Sequence, residues 1–218
     1  MNIKLDDLQK IPKEQYAEKI KKLRQNTTGQ LIVKEYPTAA ASVTNFRALL
    51  RELQLKKRFV PDIIFIDYLN ICCSSRLKMG SNVNSYIYVK SIAEELRGLA
   101  VECDVPIISA TQTTRGGFKS SDPGLEDTSE SFGLPATVDF MAAIVSNDEL
   151  AKMNQYLFVQ LASRYGDINY YKRFVVGVDK AKMKLYDTEQ SSQEGLSESG
   201  QTQTSHEDMS KKFNGFKV

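Results

Sequence analysis

The feature that most constrains the fold is a short apolar run, Ile63–Ile66, that ends in a single aspartate, Asp67. An apolar run this short, with β-branched and aromatic residues, is typical of a strand buried on both faces. A second run, Val105–Ala110, follows a long stretch, Ser85–Cys103, in which apolar residues repeat at helical spacing. Strand, helix and strand in this order predict a βαβ unit with two parallel strands.

Two polar residues follow the predicted strands. Ligands of parallel sheets bind beyond the carboxyl ends of the strands, and in nucleotide-hydrolysing folds an aspartate placed like Asp67 holds Mg²⁺ through water. Gln112 follows the second strand, and its amide can both donate to and accept from a phosphate or a water molecule. Both residues also fit an ordinary interpretation, in which a polar side chain simply ends a core strand.

The remaining periodicities predict a mixed α/β chain. We expect a helix over residues 5–25, a strand at Leu31–Val33, and a helix that begins at Ser42 or Thr44. Later strands are predicted at Phe140–Val145, Leu157–Leu161, Phe174–Val178 and Met183–Tyr186, the last closing a hairpin, with short helical segments at 127–136 and 148–153. The predicted domains are an N-terminal helical segment (1–28), a main domain (29–187) and a tail (188–218), disordered because apolar residues are sparse there.

Composition narrows the setting of the chain. No apolar run approaches the roughly 18 residues that span a bilayer, and no apolar signal core begins the chain. The three cysteines, Cys72, Cys73 and Cys103, form no C-x-x-C pair, so a reducing cytosol is the predicted compartment. Residues 1–60 carry 13 Lys/Arg against 6 Asp/Glu. This excess favours a polyanion partner or, equally well, a solvated helix face.

Five segments in one order resemble the RecA-like motor domain of hexameric replicative DNA helicases of the DnaB-like family, particularly the version carried by tailed phages. The resemblance covers roughly residues 25–187. The segments are Ile64-Phe-Ile-Asp-Tyr-Leu-Asn70, the helix and its exit Ile92–Pro106, Ser109-Ala-Thr-Gln-Thr-Thr-Arg115, Asp127-Thr-Ser-Glu-Ser131 followed by Asp139, and Ser163-Arg-Tyr-Gly166. The resemblance implies an α/β fold, a partial RecA-like P-loop NTPase core with a mostly parallel sheet, a C-terminal β-hairpin and a disordered tail.

The resemblance also implies roles for individual residues. Asp67 becomes the Walker B residue for Mg²⁺ and ATP, Gln112 a γ-phosphate sensor, and Arg164 an arginine finger for the neighbouring subunit's site. The residues implied to contact single-stranded DNA are Arg76, Lys78, Arg115, Lys119, Glu130 and Ser131. The implied partners are single-stranded DNA, a ring of helicase subunits, and primase or other replisome proteins, in the host cytoplasm if a phage encodes the chain. Each of these charges also fits an ordinary solvated surface residue.

The sequence departs from the family pattern in one large way. There is no G-x-x-x-x-G-K-[ST] segment, and the chain contains no Gly-Lys pair. The phosphate-binding loop is therefore expected on another polypeptide, and the isolated chain is predicted to be inactive. Two smaller departures are Ala162, where the family has a lysine before the finger, and Ser129, where it often has an arginine.

Three hypotheses about function remain open from the sequence. In the first, the chain is the C-terminal part of an ATP-driven replicative DNA helicase that translocates on single-stranded DNA and unwinds duplex. In the second, it is a non-catalytic RecA-like DNA-binding or helicase-associated module. In the third, it is a truncated, non-functional fragment. If the strand and helix of the phosphate-binding loop are absent, we expect the apolar faces of Ile63–Ile66 and Ile107–Ile108 to be partly uncovered.

Overall fold

The computed structural model describes residues 3–78, 83–112 and 133–189. The helices are α1 (Leu5–Leu8), α2 (Lys13–Gln25), α3 (Val43–Lys57), α4 (Ser85–Cys103), α5 (Gly133–Thr137) and α6 (Asp148–Lys152). The strands are β1 (Ile64–Ile66), β2 (Ile107–Ser109), β3 (Phe140–Val145), β4 (Gln155–Ser163), β5 (Arg173–Asp179) and β6 (Lys184–Asp187). Among the described helices, none is both long and apolar enough to cross a membrane. The predicted tail lies outside the described residues from 190 onward.

The N-terminal segment differs from its prediction. The single helix expected over residues 5–25 is wrong, because α1 and α2 are separate and Pro12 is the N-cap of α2. Proline has no N–H to donate and disfavours helical backbone in the residue before it, so a helix cannot run unbroken through this point. Leu5 N donates to Ala181 O at 2.8 Å, which ties α1 to the turn before β6.

The strand predicted at Leu31–Val33 is also wrong. This segment is irregular, and Leu31 and Val33 are more than four-fifths exposed, at 85% and 83%. A strand needs a neighbouring strand to satisfy its backbone groups, and no described strand pairs with this segment. Local apolar content therefore did not suffice to predict the strand.

Helix α3 begins where a capping residue was predicted. Ser42 is its N-cap, and both Ser42 N and Ser42 Oγ donate to Asn45 Oδ1 at 2.9 Å. The helix ends at Lys57, and its C-cap is Arg58, whose φ of 51° lies in the left-handed region. Helix α3 packs against α4.

The βαβ unit is confirmed. Strands β1 and β2 are parallel, with Ile64 opposite Ile107, and α4 connects them. The inner face of α4 supplies the most buried side chains of the core, including Ile92 and Leu99. A parallel pair joined by a crossover helix places the carboxyl ends of both strands at one edge.

The larger sheet is antiparallel, in the order β3-β4-β5-β6. The α/β class and the C-terminal hairpin are confirmed, but the expectation of a mostly parallel sheet is wrong for the described strands. The links at 146–154, 164–172 and 180–183 are shorter than the dozen or so residues that a parallel crossover needs, so they can only form hairpins.

One face of the parallel pair is uncovered. Ile63 is 41%, Phe65 67% and Ile108 50% exposed. The prediction that β1 is buried on both faces is therefore wrong, whereas the expectation of partly uncovered faces is confirmed. Strand β3 also carries uncovered apolar side chains, because Phe140 and Ile144 are more than half exposed.

Candidate functional site

The structure brings Asp67 and Gln112 to the same edge of the parallel sheet. Asp67 directly follows β1, Gln112 lies three residues after β2, and both side chains are at least partly exposed. Gln112 Nε2 donates to the hydroxyl of Tyr68 at 3.3 Å, which joins the two strand ends. A second link runs from Thr111 Oγ1 to Asn70 Oδ1 at 2.8 Å. Asp67 and Gln112 thus lie at neighbouring strand ends on one edge of the sheet, where their positions after β1 and β2 predict them.

Asp67 fits a metal ion whose other ligands are water and substrate phosphates. Within the described residues, no group of three or more His, Cys, Asp or Glu side chains could hold a metal. Mg²⁺ commonly binds through one or two carboxylates, with water and substrate phosphates filling its other positions. A single accessible carboxylate at this edge therefore fits a Mg²⁺ ion that arrives with phosphates, and does not fit an ion held by protein groups alone.

Arg164 lies elsewhere, on the turn that follows β4. Its backbone N–H donates to Asp139 O at 2.8 Å, and its Nε lies 3.3 Å from Asp139 Oδ1. Arg97 Nη1 contacts the same Oδ1 at 2.9 Å. Arg164 Nη2 also donates to Ala136 O at 3.2 Å. The guanidinium is therefore held by groups of its own chain, and the described contacts do not join it to Asp67 or Gln112.

Behind the loop after β1 is a buried carboxylate that the sequence analysis did not select. Glu95, on α4, accepts hydrogen bonds from the hydroxyls of Ser74 and Ser75 and from Ser75 N at 2.9 Å. Ser91 Oγ lies 3.2 Å from Glu95 Oε1, and Arg76 Nε forms an ion pair at 3.5 Å. The signal that could have revealed it is a glutamate inside the apolar stripe of a helix.

The pKa of Glu95 reflects this environment. Burial acts to raise the pKa, but the hydrogen bonds from Ser74, Ser75 and Ser91 outweigh it and lower the pKa to about 2. Hydrogen bonds to a carboxylate favour its charged form, so Glu95 is ionised at all ordinary pH values.

The two described candidates for DNA contact differ in their surroundings. Arg76 Nη2 donates to Ser91 O at 3.2 Å and to Glu94 Oε2 at 3.1 Å, so α4 holds its guanidinium. Lys78 is exposed, and the described part of the chain offers it no ion pair. An open groove of about 390 Å³ runs beside this loop between α3 and α4. The other four candidates, Arg115, Lys119, Glu130 and Ser131, lie outside the described residues.

Comparison with known proteins decides the family. The model of the DnaB-like helicase C-terminal domain matches residues 1–171. The chain is also 47% identical over 195 residues to the DnaB-like replicative helicase of Enterobacteria phage T4. The chain belongs to the DnaB-like helicase C-terminal domain family. The T4 alignment covers 88% of this chain and 41% of that helicase, so this member spans less than half the length of the curated relative.

Solved structures agree on the DnaB-like fold. A DnaB-like replicative helicase, studied with its interactions with primase, matches with a TM-score of 0.64 at 20% identity, over 86% of this chain and 46% of that one. A second solved structure, an ATPase domain, matches with a TM-score of 0.59 at 21% identity, over 79% of this chain and 66% of that one. The fold of this DnaB-like chain is therefore that of RecA-like helicase ATPase domains.

Proposed function

We propose that this chain is part of an ATP-driven replicative DNA helicase and supplies half of each nucleotide site. The observation that carries the proposal is the parallel pair β1–β2, which presents Asp67 and Gln112 at one edge in a chain of the DnaB-like family. In this arrangement, Asp67 binds Mg²⁺-bound water beside the phosphates, and Gln112 contacts the γ-phosphate or the attacking water.

The other half of the nucleotide site is proposed to lie in a phosphate-binding loop that these 218 residues do not contain. This chain contains no Gly-Lys pair, so no lysine of a phosphate-binding loop is present in it. Residues that cradle the phosphates must accompany Asp67 for ATP to bind. We therefore expect the isolated chain to be inactive and to gain activity only with a partner that carries a phosphate-binding loop.

Uncovered apolar surface supports such an association. Phe65 and Ile108 expose one face of the parallel pair, and the described part of the chain leaves the second edge of β2 without a partner strand. Pro106, the residue before β2, and Asp139, the residue before β3, line one cavity of about 250 Å³. A further strand between β2 and β3 would pair with both free edges, and a further helix would bury the apolar face.

Arg164 is proposed to act on the nucleotide of a neighbouring subunit. A guanidinium stabilises the charge that develops during phosphoryl transfer, and a finger of this kind raises the rate by about a thousandfold or more. Since Arg164 contacts Asp139 here, it must exchange this contact for phosphate oxygens in the assembled ring. Arg97 can then neutralise Asp139, because it already contacts the same oxygen.

The polar loops are proposed to bind single-stranded DNA. Lys78 and Arg76 belong to the loop after β1, and Arg115, Lys119, Glu130 and Ser131 would add contacts from the segment after β2. Such loops neutralise phosphates without reading sequence, so binding should weaken with salt. We extend the proposal to a ring of subunits that engages primase or other replisome proteins, in the host cytoplasm if a phage encodes the chain.

The proposal is tested by mixing the chain with a helicase fragment that carries a phosphate-binding loop. We expect DNA-stimulated ATP hydrolysis to exceed the sum of the separate parts. Arg164→Ala should abolish this gain, whereas Arg24→Ala on α2 should preserve it. A mixture no more active than its parts would refute a shared nucleotide site.

The missing Gly-Lys pair also favours a second candidate, a DnaB-like module that binds DNA or joins a ring without hydrolysing ATP. This candidate predicts salt-sensitive binding to single strands, no hydrolysis with any partner, and no effect of Arg164→Ala. The same mixing experiment therefore separates the two functions.

A further inference from the structure

The burial of Glu95 raises the question of why this position holds a carboxylate. It lies on the core side of α4, between Ile92 and Leu99, and is only 9% exposed. Burying a carboxylate costs free energy unless its lone pairs are satisfied, and an apolar side chain of similar size would fill this place without that cost. The partners of Glu95 indicate why a carboxylate stands here, because most of them belong to the loop after β1.

Four consecutive backbone amides of this loop are held inward. Ser74 N donates to the Tyr88 hydroxyl at 3.1 Å, and Ser75 N donates to Glu95 at 2.9 Å. The next two, Arg76 N and Leu77 N, donate to Ser74 Oγ at 3.1 and 2.9 Å. Ser74 Oγ in turn donates to Glu95. The carboxylate thus binds one amide directly and two more through a single hydroxyl.

We propose that Glu95 is a positioning residue. It fixes the backbone of residues 74–77 on α4 and so holds in place the backbone next to Lys78, which binds a DNA phosphate. This inference rests on the proposed function, in which the loop contacts single-stranded DNA. Glu95 itself touches neither DNA nor nucleotide. Its low pKa keeps the carboxylate charged and able to accept all of these hydrogen bonds.

A loop that is already ordered binds more tightly, because it loses less conformational entropy on binding. Immobilising one flexible side chain or its backbone costs the equivalent of about 2- to 10-fold in affinity. Lys78 directly follows Leu77, the last of the held amides, so loss of the carboxylate would free its backbone first. Arg76 would also lose its ion pair with Glu95.

The test compares variants of the full 218-residue chain for binding to a fluorescent oligothymidine at several salt concentrations. Lys78→Ala should weaken binding and reduce the salt slope by about 0.7, the contribution of one single-strand phosphate contact. Glu95→Gln should weaken binding by about 2- to 10-fold and reduce the slope in the same direction. Ser74→Ala should behave like Glu95→Gln, and it leaves the core side of α4 unchanged if the glutamine variant folds poorly.

Charge alone predicts the opposite sign. Removing a negative charge from a protein that binds a polyanion should tighten binding, so weaker binding by Glu95→Gln together with a smaller salt slope indicates that the loop is no longer held in place. Glu102→Gln gives the matched control, because Glu102 is on the same helix and forms its ion pair, at 2.7 Å, with Arg47 of α3 instead of with the loop. A folded fraction that merely falls would lower apparent affinity without changing the salt slope.

Two results would overturn the inference, and they are distinguishable. If Lys78→Ala weakens binding while Glu95→Gln and Ser74→Ala match the wild type in affinity and slope, Glu95 has no positioning role, although the loop still binds DNA. If Lys78→Ala itself has no effect, the proposed DNA contact of this loop is wrong, and the role of Glu95 is refuted together with it.

Discussion

At the scale of single residues, Glu95 links the stability of the chain to pH. Its pKa is about 2 in the folded chain, against an ordinary value of 4.5. A carboxylate whose pKa is lowered by folding adds stability that is fully present above its unfolded pKa and is lost as the pH falls through its folded pKa. The contribution of Glu95 should therefore be complete above about pH 4.5 and absent below about pH 2.

Glu95→Gln should remove this contribution. Near neutral pH, we expect the free energy of unfolding to fall by up to about 3 kcal/mol, the equivalent of the lowered pKa. The difference from the wild type should shrink as the pH falls below about 4.5 and vanish near about pH 2. Urea unfolding followed by circular dichroism at several pH values measures it. A difference that stayed constant with pH would show that the carboxylate is not held in this way.

The same scale shows where sequence reasoning succeeds. It was predictable that Asp67 and Gln112 lie at the same edge of the sheet, because both follow strands whose parallel order is set by the intervening helix. The contacts of Glu95 with Ser74 and Ser75 and the pairing of Arg164 with Asp139 were not, since each joins residues about 20 or more positions apart through side-chain geometry. The order of residues along the chain does not give the distances between such side chains.

At the scale of elements, local signals predicted α4 and α3 but not the segment Leu31–Val33. Helices α3 and α4 satisfy most of their backbone hydrogen bonds internally, so periodicity and capping residues are enough to place them. A strand depends on a partner that is distant in sequence, and no described strand pairs with Leu31–Val33. The same reason explains the antiparallel sheet, because the lengths of its links, more than its apolar runs, decide the pairing.

The cap of α3 gives a prediction at this scale. Ser42→Ala removes the hydroxyl that donates to Asn45, and it should lower the free energy of unfolding by about 1 kcal/mol. Thr44→Ala is the matched control, since Thr44 is exposed within the first turn and should change stability by less than about 0.5 kcal/mol. Urea unfolding of both variants would measure the effect. Equal losses would show that Ser42 does not cap the helix.

At the scale of the whole molecule, the uncovered face of the parallel pair predicts association. Phe65 is 67% exposed, and burying such a side chain against a partner stabilises a complex by about 1.5–3 kcal/mol. Phe65→Ser should therefore weaken binding to the fragment that carries the phosphate-binding loop by about 10- to 100-fold. Analytical ultracentrifugation measures the affinity.

A matched control is Leu55→Ser, because Leu55 is 83% exposed on α3, away from the parallel pair. It should leave the affinity unchanged. Equal binding by Phe65→Ser and the wild type would place the partner on another face of the molecule. The thermal transition of each isolated variant shows whether the substitution has altered the chain itself, and we expect a cooperative transition in both. Failure of the wild-type chain to unfold cooperatively would favour the interpretation of a non-functional fragment.

The central claim is that Asp67 is half of a nucleotide site, and that a phosphate-binding loop outside these 218 residues completes it. The most direct measurement is DNA-stimulated ATP hydrolysis by the mixture of the two chains, made with Asp67→Asn. We predict a loss of about 100-fold or more with the complex intact, because asparagine lacks the charge with which Asp67 is proposed to orient Mg²⁺-bound water. Asp62→Asn, an exposed aspartate just before β1, should hydrolyse ATP like the wild type. Hydrolysis by Asp67→Asn at the wild-type rate would contradict the account.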